Sequence, residues 1–143
     1  MILVAACAVS AHAQSNPMSA DTRLLYTMIK TNIIKAAEKM PEANYSFKPT
    51  PDVRSFGQLI GHLADAQYEF CAPVKGENKA MDLEKTLTSK AALVQALKTA
   101  FAYCDGAYDA LTDATAGDKL KFFGADHTRL FPLSFNTAHS NEH

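Results

Sequence analysis

Apolar residues recur every three or four positions in four segments of this chain, and this spacing constrains the fold more than any other feature. It places the apolar side chains on one face of an α-helix, whereas a half-buried strand needs alternation at every second residue. We identify no sustained alternation and no internal repeat between the four segments. The spacing therefore predicts an all-α fold, with four amphipathic helices packed as a four-helix bundle.

Capping residues and prolines predict where these helices begin and end. Asp21 suits the start of the first helix, which Pro41 follows, and Ser55 is a good N-cap for the second, which Pro73 is expected to end. Pro132 suits the first turn of the fourth helix, which still has a helical pattern at the last residue and is expected to be cut short there. The predicted helices cover residues 20–39, 55–71, 88 or 89 to about 111, and 132 onward. The long connections between them predict at least one crossover.

Length and charge limit the classes of function. A chain of 143 residues has room for one domain, and a domain of this size can bury a core without a structural metal. The formal net charge is −1 and no basic stripe is present, which argues against nucleic acid as a partner. No apolar run is long enough to predict a membrane span.

The first 13 residues, MILVAACAVSAHA, are uncharged, mostly apolar and end in a small-x-small pattern. This composition is typical of the apolar region and cleavage site of a signal peptide, here without its basic start. We therefore divide the chain into a partial signal peptide (1–13), a spacer (14–19) and the domain (20–143), and expect a secreted or periplasmic protein. The alternative is an apolar helix that the mature domain retains.

Export would leave two cysteines, Cys71 and Cys104, in an oxidising environment. Both are expected on inward faces of helices, where they can form a disulfide or remain small buried hydrophobic residues. The sequence leaves these two alternatives open. No base adjoins either residue in the sequence, which argues against a catalytic thiol.

His139 and His143 form an H-x3-H motif, whose two imidazoles lie on the same face of a helix and can reach one ion. His62 lies at the edge of the second helix's apolar stripe, where that helix meets a neighbour. Surface or structural histidines are the alternative interpretation for all three. His127 lies in a polar connection, and we predict that it is simply exposed.

Two segments resemble the DinB-like (YfiT-like) superfamily of metal-dependent proteins: residues 55–66, SFGQLIGHLADA, and residues 135–143, FNTAHSNEH. Residues 45–51, YSFKPTP, match less specifically, and the resemblance covers about residue 21 to the end. It implies a four-helix bundle of up-down-down-up topology. It also implies a metal site formed by one histidine of the second helix and two of the fourth, which here are His62, His139 and His143.

Three imidazoles leave coordination positions open on a divalent ion, for which zinc or nickel is our first expectation, although imidazole also suits copper and iron. Characterised members of the superfamily include transferases and isomerases that use a small thiol. We therefore expect a metal-dependent transferase or hydrolase that activates a thiol or water against a small molecule. Asp65 is a candidate to accept a hydrogen bond from the ring N–H of a ligand histidine, and Glu142 is a candidate general base; alternatively, both are solvated carboxylates. A non-catalytic metal- or ligand-binding bundle of the cell envelope is the alternative function, and a homodimer through helix faces is compatible with either.

Overall fold

The computed structural model describes residues 15–143, and this part of the chain is mostly helical. Its elements are α1 Pro17–Lys39, α2 Phe56–Val74, α3 Leu83–Thr86, α4 Lys90–Asp109, β1 Lys119–Phe122, β2 Ala125–Thr128 and α5 Leu130–Glu142, with a 3-10 turn at Glu42–Asn44. The predicted signal peptide lies outside the described residues. Between residues 15 and 143 no helix combines the length and the apolar character that a bilayer crossing needs.

Helix α1 begins at Pro17, three residues before the predicted start, so part of the predicted spacer is helical. Its first amide groups are bound by Asp113, whose carboxylate accepts from the backbone N–H groups of Met18 and Ser19 at 3.2 and 2.8 Å. Ser19 also donates its hydroxyl to Asp113 at 2.6 Å. The acid that binds the start of α1 is thus Asp113 and not the predicted Asp21. It is more than 90 residues away in the sequence, so local capping rules did not find it.

Helix α2 begins as predicted, with a capping box in which Ser55 and Gln58 each bond the other's backbone N–H. The prediction that Pro73 ends this helix is wrong, because Pro73 lies inside its last turn. The helix continues to Val74, and its cap is completed by Gly76, which has a φ of 73°. Gly76 N–H donates to Pro73 at 3.1 Å and Glu77 N–H to Ala72 at 2.8 Å, the bonding pattern of a Schellman cap.

The prediction of a purely helical fold is wrong for the connection between α4 and α5. Strands β1 and β2 form an antiparallel hairpin in which Lys119 pairs with Thr128 and Phe122 with Ala125. Phe123 and Gly124 form its turn, with φ values of 49° and 80°, as a two-residue turn with positive φ at both positions requires. The alternation Lys-Leu-Lys-Phe before this glycine was the signal for a strand, but it is only four residues long.

The contacts between the long helices give their relative directions. Helices α2 and α4 run the same way, since Gly57 lies beside Leu93 at one end and a disulfide joins Cys71 to Cys104 at the other. Helix α1 runs opposite to α4, because Arg23 pairs with Asp109 while Glu38, near the other end of α1, pairs with Lys98. The disulfide, whose Cα atoms are 5.4 Å apart, resolves the two alternatives that the sequence left open for the cysteines.

Aromatic residues fill the core between α1, α4 and α5. The rings of Tyr26 and Tyr108 stack with their centroids 3.8 Å apart, and both side chains are almost fully buried. Their hydroxyl groups are not left without partners: that of Tyr26 lies 3.0 Å from the Phe101 carbonyl, and that of Tyr108 donates to the Leu133 carbonyl at 2.7 Å. Both of these buried hydroxyl groups therefore have a hydrogen-bond partner.

Helix α3, a single turn, packs directly on the backbone of α2 at Gly61. A Cβ atom built on Gly61 would lie 2.6 Å from Glu84 Cα and 3.0 Å from Glu84 N, both main-chain atoms. Asp65, one turn further along α2, accepts hydrogen bonds from the backbone N–H groups of Leu83 at 2.8 Å and Glu84 at 3.0 Å. Gly61, which has no side chain, and the carboxylate of Asp65 thus determine where Glu84 lies.

We predict that Gly61→Ala is destabilising and displaces α3, because two backbones cannot move apart without losing the Asp65 hydrogen bonds. Gly106→Ala is the matched control: Gly106 is also helical, but nothing lies within 4 Å of an added Cβ. The control is expected to gain about 0.5–1 kcal/mol from helix propensity. Gly61→Ala is expected to lose about 1–3 kcal/mol from overpacking. Urea unfolding measures both, and a Gly61→Ala protein as stable as the control would contradict the prediction.

Candidate metal centre

A buried amide pair joins the two helices that carry the candidate ligands. Asn136 of α5 donates from Nδ2 to Gln67 Oε1 of α2 at 2.9 Å, and neither residue has measurable exposure. Gln67 donates in turn to Ser140 Oγ at 3.2 Å, one turn further along α5. Asn136 also contacts Cys71, whereas Ser140, later in α5, contacts Gln67, earlier in α2. The two helices are therefore antiparallel.

This register brings His62 of α2 opposite His139 and His143 of α5. One ring nitrogen from each of the three lies within 4.8 Å of the others, and the Nε2 atoms of His62 and His139 are 3.2 Å apart. The ring centroids are separated by 5.1 Å for His62 and His139, 5.0 Å for His62 and His143, and 4.5 Å for the α5 pair. Three imidazoles from distant parts of the chain therefore share one small volume.

Burial keeps two of these imidazoles neutral. It lowers the pKa of His139 to about 4, with smaller contributions from the charges of His143, His62 and Arg54. The Phe70 ring, nearly perpendicular to the imidazole at a centroid distance of 5.1 Å, forms part of the apolar surroundings of His139. Burial and then Arg54 also lower the pKa of His62, although Glu84 opposes this shift. Near neutral pH both rings therefore keep an unprotonated nitrogen that can bind a cation.

Glu84 is the site residue that the sequence analysis missed. One of its carboxylate oxygens lies 3.4 Å from His62 Nδ1, on the side of the ring opposite the histidine cluster. The other accepts a hydrogen bond from Arg54 Nε at 2.8 Å. Glu84 lies 22 positions from His62 in a segment with weak helical pattern, so only the packing of α3 on Gly61 reveals the contact.

Asp65 and Glu142, the two carboxylates that the sequence indicated as candidates, lie in different surroundings. Asp65 gives both oxygens to the α3 backbone, so the carboxylate beside His62 Nδ1 is Glu84 rather than Asp65. Glu142 is exposed on α5 next to His143. The prediction that His127 is simply exposed is wrong, since it is half-buried in β2 and its ring stacks on Phe131 with centroids 4.1 Å apart.

A cavity of about 1330 Å³ opens beside the histidine cluster. His143, Glu84 and Arg54 form its wall on the cluster side. The connection between α1 and α2 and the first turn of α2 form the rest. His143, the one histidine of the cluster in this lining, is thus accessible from a space large enough for a small organic molecule.

The sequence model of the DinB superfamily matches residues 26–143, which is most of the chain and includes all three histidines. The chain belongs to the DinB superfamily. The resemblance of the two histidine segments to that family is therefore confirmed. No curated protein matches the sequence.

Solved structures show the same DinB-like fold. A DinB-like protein from Bacillus cereus superposes with a TM-score of 0.75 at 14% sequence identity, covering 86% of this chain and 83% of that one. A mycothiol-dependent maleylpyruvate isomerase superposes with a TM-score of 0.71, also at 14% identity, over 85% of this chain. This chain spans only 57% of the isomerase's length.

The donor set of this DinB-superfamily member fits a divalent metal. Two nitrogen ligands of a tetrahedral zinc ion lie about 3.3 Å apart, given zinc–nitrogen bonds of about 2.0–2.1 Å. The 3.2 Å between the Nε2 atoms of His62 and His139 is close to that value. The carboxylate beside His62 Nδ1 is the usual partner of a metal-bound imidazole. His139 Nδ1 is buried without a partner in the described part of the chain. Of these two rings, only His62 therefore has a carboxylate beside its Nδ1.

We predict that Glu84→Gln lowers the pKa of His62 further in the metal-free protein. The Glu84 carboxylate raises that pKa against burial and Arg54, so its neutralisation removes the larger of two nearby negative charges that favour the imidazolium, the other being Asp65. NMR titration of the imidazole C–H signals measures the shift. Glu38→Gln, which removes a carboxylate from an exposed pair with Lys98, is the control and is expected to leave His62 unchanged. A rise in the pKa of His62 in Glu84→Gln would contradict the assigned electrostatics.

Proposed function

We propose that the protein binds one divalent metal ion through His62, His139 and His143, and that it is a metal-dependent enzyme acting on a small molecule. The observation that carries this proposal is the convergence of three imidazoles from α2 and α5 beside a cavity. Zinc or nickel is the proposed ion, since both accept an all-imidazole donor set. The relative directions of the four long helices support the up-down-down-up bundle that we propose as the scaffold.

The protein's own residues would prepare the site before any ion binds. Burial holds His62 and His139 neutral, so no proton has to leave them near neutral pH. Glu84 faces His62 Nδ1 and so favours the tautomer with the proton on that atom and a free Nε2. When bound, a divalent ion at three imidazoles lowers the pKa of a water or thiol in an open coordination position and so supplies a nucleophile.

The disulfide bears on which nucleophile is used. A Cys71–Cys104 bond is typical of oxidising compartments, which supports our proposal that the protein is secreted or periplasmic. Small thiols are largely oxidised in such places, so water is the first candidate and hydrolysis the proposed reaction. A structural neighbour is a mycothiol-dependent isomerase, and a transferase that uses a thiol is therefore the second form of this proposal.

The placement of Asp65 favours a second candidate, a non-catalytic metal- or ligand-binding protein of the cell envelope. Both Asp65 oxygens accept backbone hydrogen bonds, and both Glu84 oxygens face cationic or imidazole groups. Neither carboxylate is therefore free to accept a proton from a substrate. The exposed Glu142 remains the proposed general base of the enzyme.

We predict that the purified protein binds one equivalent of zinc or nickel, and that alanine at His62, His139 or His143 removes stoichiometric binding. Each substitution deletes one of three ligands, while the core cluster of buried hydrophobic residues stays intact. Elemental analysis and calorimetric titration measure binding, and metal should raise the melting temperature of the wild type but not of the three ligand variants. His127→Ala is the matched control, because His127 is outside the cluster and should not affect binding.

The absence of metal binding by the wild type, or equal binding by His139→Ala, would refute the metal site. Enzyme and binder are then separated by an activity screen of the metal-loaded protein against small esters, amides and electrophiles. Turnover that His139→Ala abolishes and Glu142→Gln reduces supports the enzyme with its proposed base. A metal-loaded wild type that turns over none of these substrates favours the binder.

A further inference from the structure

The cavity beside the histidines has an uneven lining. Apolar side chains cover much of it, including Phe47 and Val53, which are 64% and 44% exposed although they are large and hydrophobic. Its charged side chains are those of Lys48, Asp52, Arg54 and Glu84, and Glu84 and its partner Arg54 are next to the histidine cluster. A ligand in this space would meet hydrocarbon on one side and charged groups near the histidines on the other.

Arg54 is the least expected residue in that wall. Its Nε donates to Glu84 at 2.8 Å, which fixes the orientation of the guanidinium plane. The Nη groups have no partner among residues 15–143, and 45% of the side chain remains exposed. The charge of Arg54 lowers the pKa of both His62 and His139, so the guanidinium lies within electrostatic reach of both rings.

A fixed cation beside a cluster that binds cations is unfavourable unless an anion accompanies it. Glu84 offsets one positive charge, but it also faces His62, and the neutral imidazoles contribute no negative charge. A divalent ion next to Arg54 therefore leaves a surplus of positive charge at this end of the cavity. A ligand with a negative group removes that surplus, and a carboxylate matches the forked N–H donors of a guanidinium.

We propose that this cavity binds a small organic carboxylate, with the carboxylate at the Arg54 Nη groups and the apolar body against Phe47 and Val53. This inference rests on the proposed metal function, for which it names the substrate class. It also assigns Arg54 as the residue that distinguishes anionic from neutral ligands. The apolar wall excludes ligands that are polar throughout, because their unpaired groups would be buried against hydrocarbon.

Phenylacetate and phenylacetamide test the inference, since they have nearly the same shape and differ in charge. Calorimetric titration of the metal-loaded wild type should show phenylacetate binding at least about tenfold more tightly, the difference that one charged hydrogen bond supplies. Arg54→Gln should abolish this preference while the protein still binds one equivalent of metal. Arg23→Gln, which removes an arginine from an exposed pair with Asp109, is the matched control and should keep the preference.

The outcomes separate this inference from the metal site. Equal binding of the two probes by the metal-loaded wild type, or a preference that Arg54→Gln retains, overturns the role of Arg54. Tighter binding of phenyl phosphate than of phenylacetate overturns the assignment of a carboxylate. If no metal binds, the proposed function fails. The same titrations on the metal-free protein then decide the inference. A preference for phenylacetate that depends on Arg54 supports it, and no preference overturns it.

Discussion

The hydrogen bond between Asn136 and Gln67 is the constraint on which the candidate site depends. Both amides are completely buried, so a shift of α5 along α2 would leave Gln67 Oε1 unpaired in the core, in addition to Asn136 Oδ1, which has no partner in the described part of the chain. Such a group costs about 1–3 kcal/mol, which is a large part of the stability of a domain. The bond therefore fixes a register that apolar packing alone would leave looser. In that register His62, five residues before Gln67, lies opposite His139, three residues after Asn136.

Features that the sequence predicted correctly are local in the chain. The three-to-four spacing identifies the long helices, and Ser55 with Gln58 marks the start of α2, because a helix repeat and a cap each involve only a few neighbouring residues. The H-x3-H spacing places His139 and His143 on one face of α5 for the same reason. The position of His62 at the edge of its helix's apolar stripe made it a candidate ligand, and the family resemblance related its segment to that of His139 and His143, which local rules cannot do.

Features that the sequence did not predict depend on distant contacts or on very short patterns. Asp113 binds the start of α1 from across the chain, and Glu84 reaches His62 only because α3 packs on Gly61. The sequence predicts that α2 ends before Pro73, yet the cap forms at Gly76, where a positive φ completes the hydrogen bonds. The four-residue strands gave too little alternation to be distinguished from a polar connection.

The core and the candidate site have separate sources of stability. Stacked tyrosines, the disulfide between α2 and α4 and the paired amides stabilise the helices without any contribution from the histidines. Two histidines with lowered pKa values are neutral near neutral pH, so they do not repel one another in the folded protein. The positions of the imidazoles therefore follow from contacts that the fold makes elsewhere in the described part of the chain. An ion that binds to such a preformed site loses no binding free energy to organising the helices.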